Sequence, residues 1–219
     1  MCGRFVLFTT GQDLLDEVAG LPTAAPVSAP DGTPPPRYNI APTNQVPLIR
    51  FHDSGSQIDA ARWGLVPHWK TKDSGPPLFN ARGETVAEKP SFRDAFSKRR
   101  GLMVLDGYYE WKQEGSHKQP FYVTPKHGLL YAAALWDLGA ERLSTTMVTT
   151  EATENMAWLH HRLPLFLLPR EIEQWVNGTR EAAQELLSPS RAAADLTWRQ
   201  AAREVGNVKN DYPELISAN

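Results

Sequence analysis

The only cysteine of this 219-residue chain stands at position 2, behind Met1. A lone cysteine cannot close an internal disulfide and falls far short of a structural zinc set, which leaves reactivity or plain packing. A small second residue lets an aminopeptidase remove the initiator methionine. The mature chain would then begin with Cys2 and carry an amine and a thiol on adjacent carbons. Near pH ~7.4 an α-amine of pKa about 7.8 is roughly a quarter neutral, against about a thousandth for a lysine. An aldehyde meeting this pair forms an imine with the amine and is then captured by sulfur in a five-membered thiazolidine, far harder to hydrolyse than the imine. The same pair also suits an N-terminal nucleophile hydrolase, in which the thiol attacks an acyl group and the amine serves as base. An inert cysteine near a frayed chain end is the third reading.

Glu110 lies among aromatic residues in Asp106-Gly107-Tyr108-Tyr109-Glu110-Trp111. Apolar surroundings disfavour a charged carboxyl, which brings it nearer the point where it both gives and takes a proton; a surface strand glutamate is the alternative. His160-His161-Arg162 supplies two adjacent imidazoles, of which one can act as acid or base. In an extended segment the two would point in opposite directions and could not share a metal. No HExxH spacing occurs, so neither a metal nor another cofactor is expected. Arg4 follows Gly3, and Arg82 stands between Ala81 and Gly83, small residues that would let a phosphate approach the backbone. Arg93 and Lys98 to Arg100 read equally well as a solvated helix face. Trp69, one of seven tryptophans, ends the run Trp63-Gly64-Leu65-Val66-Pro67-His68-Trp69 and is either a packed indole or a stacking platform for bases.

Holding such groups together needs a core, and 41% hydrophobic with 22% charged residues supplies one. That balance excludes a disordered tail, and no apolar run approaches the roughly 20 residues of a spanning helix. A net charge of −2 excludes holding a polyanion by overall basicity, leaving only a local patch. Phe5 to Phe8 is too short a run for a signal peptide, so the cytoplasm is the expected compartment. The length fits one domain over residues 1–219, with no internal repeat. Strands are expected at Phe5 to Phe8, Val46 to Phe51, Ile58 to Trp63, Leu102 to Leu105, Tyr108 to Lys112, Phe121 to Thr124, Leu129 to Leu135, Thr145 to Thr150 and Leu163 to Leu168. Helices are expected at Asp13 to Ala19 ending at Gly20, at Phe92 to Ser97 capped by Ser91, at Arg170 to Val176 after Pro169, and at Arg180 to Leu187 capped by Thr179. Trp198 to Val205 is ambiguous. The proline-rich segment 22–36 is expected to be an exposed loop that cannot pair as a strand. This spacing predicts an α+β fold: a mixed, mainly antiparallel barrel-like sheet with short flanking helices.

Several blocks, in order over nearly the whole chain, resemble the SRAP (SOS response-associated peptidase) family. They are Met-Cys-Gly-Arg at residues 1–4, Arg37 to Pro42, Trp63 to Pro67 with Trp69, Asn80-Ala81-Arg82 with Glu84-Thr85, Asp106 to Trp111, Thr149-Thr150 and His160 to Pro164, followed by Asn207 and Pro213 to Ile216. Val104 stands where the family usually has proline, and Leu163 where methionine is common. The resemblance implies a domain that binds single-stranded DNA and crosslinks to abasic sites through a thiazolidine, shielding them during the response to DNA damage. It further implies Cys2 as nucleophile, Asn80 orienting the amine and the sugar oxygen, Glu110 as acid/base and His160 assisting proton transfer. Arg4, Arg82, Arg162, Thr149 and Asn39 would sit at the DNA, with Pro42 and Trp69 against neighbouring bases. The partner would be single-stranded DNA containing abasic sites, met by a monomer without a membrane. A cysteine peptidase and a non-enzymatic single-strand binder are the competing functions.

Overall fold

The structure, a computed structural model, describes residues 2–217. Met1, whose removal the chemistry above requires, lies outside them. In chain order the elements are β1 (Arg4–Leu7), α1 (Gly11–Ala19), β2 (Val27–Ser28), β3 (Arg37–Ile40), β4 (Gln45–His52), β5 (Gly55–Trp63) and β6 (Asn80–Arg82). The short helices α2 (Gly83–Val86) and α3 (Arg93–Lys98) lead to β7 (Arg100–Leu105), β8 (Gly107–Glu114), β9 (His117–Pro125), β10 (Leu130–Gly139) and β11 (Arg142–Glu151). Then come β12 (Arg162–Pro164), α4 (Pro169–Val176), α5 (Arg180–Glu185) and β13 (Leu196–Gln200). Among the described residues no helix is long and apolar enough to cross a membrane.

Two sheets share the work. Strands β5, β4, β7, β10 and β11 follow one another, and a parallel pairing of β11 with β5, Ser144 opposite Arg62 and Thr145 opposite Trp63, closes them into a five-stranded barrel. All six residues of β7 are buried, as befits a strand covered on both faces. The second sheet runs β13-β9-β8-β1-β3. Its inner face meets the barrel where Phe5 packs edge-on to the fully buried Trp63, centroids 5.1 Å apart. The Trp63 indole N–H is satisfied by the Phe79 carbonyl at 2.9 Å. On the outer face, Val6, Tyr109 and Tyr122 form a smaller cluster covered by Ala201, Val205 and Leu215.

The expected α+β barrel is the fold observed, with corrections in its parts. Segment 22–36 does pair as a strand at one point: Val27 and Ser28 lie parallel to Ser56 and Gln57, and the Pro26 carbonyl accepts from the Ser56 N–H. The two non-proline residues between Pro26 and Ala29 suffice for that. Helix α3 starts one residue later than expected, behind Phe92, with no side-chain cap, so Ser91 does not cap it. Thr179 caps α5 as expected, accepting from Ala182 N–H, although that helix stops at Glu185. Gly20 ends α1 in a right-handed conformation and uses no glycine-specific geometry. Strand β12 is shorter than the apolar run Leu163 to Leu168, because Leu165 and Leu167 turn to bond with β11 and β10 from outside the ladder. The ambiguous Trp198 to Val205 is half edge strand, half 3-10 turn.

One carboxylate fixes the far end of β1, the strand that follows Cys2. Asp106 accepts from Phe8 N–H at 2.6 Å, Thr9 N–H at 2.8 Å and Thr9 Oγ1 at 2.7 Å. Replacing Asp106 by alanine leaves two part-buried N–H groups unsatisfied, and should lower unfolding stability by about 2–4 kcal/mol, read as a fall in the urea midpoint at unchanged slope.

Candidate active site

Four strands bring the candidate catalytic groups to the seam between the sheets. Cys2 stands one residue, Gly3, ahead of β1 and is fully buried. β1 pairs antiparallel with β8, Arg4 opposite Tyr109 and Phe5 opposite Tyr108, which brings Glu110 to the level of the chain start. Across the seam, β6 runs parallel to β11, with Asn80 opposite Met147 and Arg82 opposite Thr149. β12 pairs on the other side of β11, placing His160 just ahead of it.

The contact that joins the two halves is a hydrogen bond of 2.8 Å from Asn80 Nδ2 to the Cys2 carbonyl. Asn80 Oδ1 is buried and has no hydrogen-bond partner among the described residues. A buried amide oxygen without a donor is an exception that calls for one. Cys2 Sγ donates to the Arg4 carbonyl at 3.8 Å. Burial, and after it the negative charge of Glu110, push the Cys2 thiol far above its ordinary value, so the resting sulfur is protonated. Glu110 is 5% exposed, and one of its oxygens accepts from Trp111 N–H at 3.1 Å. Tyr108, two residues earlier on the same strand face, is also pushed up by burial and then by Cys2 and Glu110, and remains a neutral phenol.

His160 Nδ1 accepts from Arg162 N–H at 2.9 Å, which leaves the ring proton of the neutral form on Nε2. Burial lowers the His160 pKa, opposed by the charge of Glu110, so at neutral pH the ring is an uncharged hydrogen-bond donor. His160 and His161 do not point apart as expected for an extended segment: the chain turns here, and their rings stack at 4.3 Å and 24°. Among the described residues no group of three or more His, Cys, Asp or Glu is arranged for a metal ion.

The residues expected at DNA divide by exposure. Trp69 is 54% exposed and Arg82 is exposed on β6, while Pro42 is half-buried. The turn bearing Trp69 is tied down: Asp137 accepts from His68 N–H at 2.9 Å and is paired with Arg99 at 3.1 Å, and the Lys70 carbonyl accepts from Ala140 N–H. Arg4 lies opposite Tyr109 on the outer face of its sheet, donating to Asn39 Oδ1 at 2.9 Å and to the Val205 and Gly206 carbonyls. Asn39 is fully buried and donates to the carbonyls of Val205, Asn207 and Asn210. Arg4 and Asn39 therefore clamp the segment 205–210 under the sheet. Thr149 is fully buried, and Arg162 donates to its carbonyl at 2.7 Å while gripping both oxygens of Glu84 at 2.6 and 3.0 Å. That guanidinium holds the Glu84 carboxyl below the usual range. Sequence reasoning missed Tyr108, the Glu84–Arg162 pair and the His68–Asp137–Arg99 knot. Only Tyr108 left a trace, its alternation with Glu110.

The family model described as SOS response associated peptidase (SRAP) matches residues 1–208. The chain is 35% identical to the abasic site processing protein YedK of Escherichia coli (strain K12), over 99% of both chains. It is 30% identical to the abasic site processing protein HMCES of Gallus gallus, over 83% of this chain and 66% of that one. A crystal structure of a protein from Bacteroides thetaiotaomicron shares the fold, with TM-score 0.77 over 93% of each chain at 21% identity.

The thiol's environment makes a reactivity prediction. Alkylation of Cys2 by iodoacetamide at pH ~8 should be slower than that of a free cysteine, because little thiolate forms. Glu110→Gln removes the second cause of the upward shift, so it should speed alkylation; an unchanged rate would place Glu110 out of reach of the sulfur. Asn39→Ala should leave the barrel folded yet raise hydrogen exchange across residues 205–210.

Proposed function

This chain belongs to the SRAP family, and on that footing we propose that it captures abasic sites in single-stranded DNA as a thiazolidine on Cys2, once Met1 is removed. The carrying observation is the buried Asn80 Oδ1 beside a cysteine whose carbonyl the same amide holds. It marks a place for an amine next to a protonated thiol and a carboxylate.

The steps follow from the resting charges. Nε2–H of His160 donates to the sugar oxygen and assists opening of the hemiacetal to the C1′ aldehyde. The neutral Cys2 amine, its N–H bonded to Asn80 Oδ1, adds to that carbon, and loss of one water gives the imine. An amide suits this post, since it accepts from the amine without adding a charge that would keep it protonated. Sulfur then adds across the C=N bond: the thiol proton passes to Glu110, the S–C1′ bond forms, and Glu110 returns a proton to nitrogen. Atoms balance with one water released in total. Amine and thiol belong to one residue, so ring closure has the effective molarity of an intramolecular step, about 10⁵ M or more. Exposed Arg82 would meet a phosphate, and Trp69 with Pro42 would stack on a neighbouring base.

The peptidase reading, in which sulfur attacks an acyl carbon first, needs the amine or Glu110 to take the thiol proton as it attacks, since burial keeps the resting thiol protonated. A protonated thiol does not hinder an amine-first sequence. A binder without chemistry would be indifferent to Cys2, so Cys2→Ala equal to the parent in every DNA assay would favour it.

Cys2→Ser should still form an imine with an abasic oligonucleotide, trapped by borohydride and able to proceed to strand cleavage by β-elimination, but no durable adduct. A stable crosslink from Cys2→Ser would refute the role of sulfur. Asn80→Asp should slow imine formation at neutral pH and recover as the pH is raised, because the new carboxylate stabilises the ammonium form of the amine.

A further inference from the structure

On the inner face of the five-stranded sheet, a line of aromatic rings leads away from Glu110. Glu110 is directly opposite Phe121, so the two side chains share a face. Lys112, two residues beyond Glu110, shares it as well. Trp198 joins the same face through its partner Val123, which lies opposite Tyr108. Trp158, two residues before His160, bridges these groups. Its ring meets Phe121 edge-on at 5.0 Å and Trp198 at 5.4 Å, and Lys112 Nζ lies 5.3 Å above it.

Packing accounts for Phe121, which is buried in the main core, but not for the two tryptophans beside it. Trp158 is 37% and Trp198 43% exposed, and Trp198 sits on β13, the outermost strand of its sheet. Two exposed tryptophans in ring contact, with an ammonium over one face, leave apolar surface in water that a ligand would cover. The position of the cluster selects the ligand. A sugar held at Cys2 belongs to a chain that must leave the site in both directions, and Trp69 serves only one of them. We propose that Phe121, Trp158 and Trp198, with Lys112, form a second stacking track that carries the nucleotides on the other side of the abasic sugar, an inference that rests on the single-stranded DNA reading above. The rings take any base by its π-face, and Lys112, whose present partner is the exposed Glu114 at 3.4 Å, exchanges that carboxylate for a phosphate.

The test measures binding of single-stranded oligonucleotides, with and without an abasic site, by the parent chain, Trp158→Ala, Trp198→Ala and Trp198→Phe. Each alanine variant should weaken binding by about 5- to 50-fold, whether or not the abasic site is present, while Trp198→Phe stays within about threefold because a ring remains. Trimming the oligonucleotide on one side of the abasic site should erase the difference between parent and variant, and trimming the other side should preserve it. Thermal midpoints of the variants close to the parent's establish that folding is not the cause. Unchanged affinity in both alanine variants, or a deficit that survives trimming on either side, would overturn the track. A normal crosslink with unchanged affinity sinks the track alone, whereas a missing crosslink with the expected affinity losses sinks the thiazolidine and spares the track.

Discussion

The hydrogen bond from the Asn80 amide to the Cys2 carbonyl, with Phe5 packed on Trp63, holds the start of the chain against the barrel. Residues at a chain end are ordinarily frayed, because nothing there outweighs the entropy of the free segment. Here β1 is sandwiched between β3 and β8, its far end is pinned by Asp106, and Cys2 itself is buried. The proposed chemistry would gain from this, since amine and thiol would approach their target in a fixed geometry rather than searching for it. The rest of the site is arranged around that fixed point. Glu110 arrives from the neighbouring strand, Asn80 and Arg82 from across the seam, and His160 from the turn that leads into β12.

Charge then orders the chemistry. Burial and Glu110 hold the sulfur protonated, burial keeps His160 neutral, and Tyr108 stays a phenol. A site in this state has no free thiolate to waste on oxidants or stray electrophiles. In the proposed sequence it becomes a sulfur nucleophile when a carboxylate takes the thiol proton, and the C=N bond that sulfur would attack exists only after the amine has reacted.

Much of this was legible in the residues, and the limits have physical causes. The short strand-prone runs in β4, β5, β8 and β11 announce strands, and Cys2 and Glu110 stand out by position and by neighbours. Strands β3 and β6 were not legible as strands: Arg37–Ile40 and Asn80–Arg82 are short, polar at alternate positions, and owe their conformation to partners far away in sequence. The contacts of Arg4 were equally hidden, because a guanidinium beside glycine reads the same whether it waits for a phosphate or clamps the carbonyls of residues 205 and 206. Stacking of His160 on His161 depends on a turn that no local pattern marks. The aromatic track is the same case at larger scale, since Phe121, Trp158 and Trp198 meet only after β9, β13 and the turn before β12 are assembled.

The central claim is that an amine and a thiol on one residue seize the sugar aldehyde together. Intact mass of the purified chain, before and after incubation with an oligonucleotide bearing one abasic site, tests it most directly. The account requires a chain that has lost Met1 and gains the mass of the oligonucleotide less one water, in a product that survives denaturation without borohydride. A chain that retains Met1 and still forms that product would contradict it.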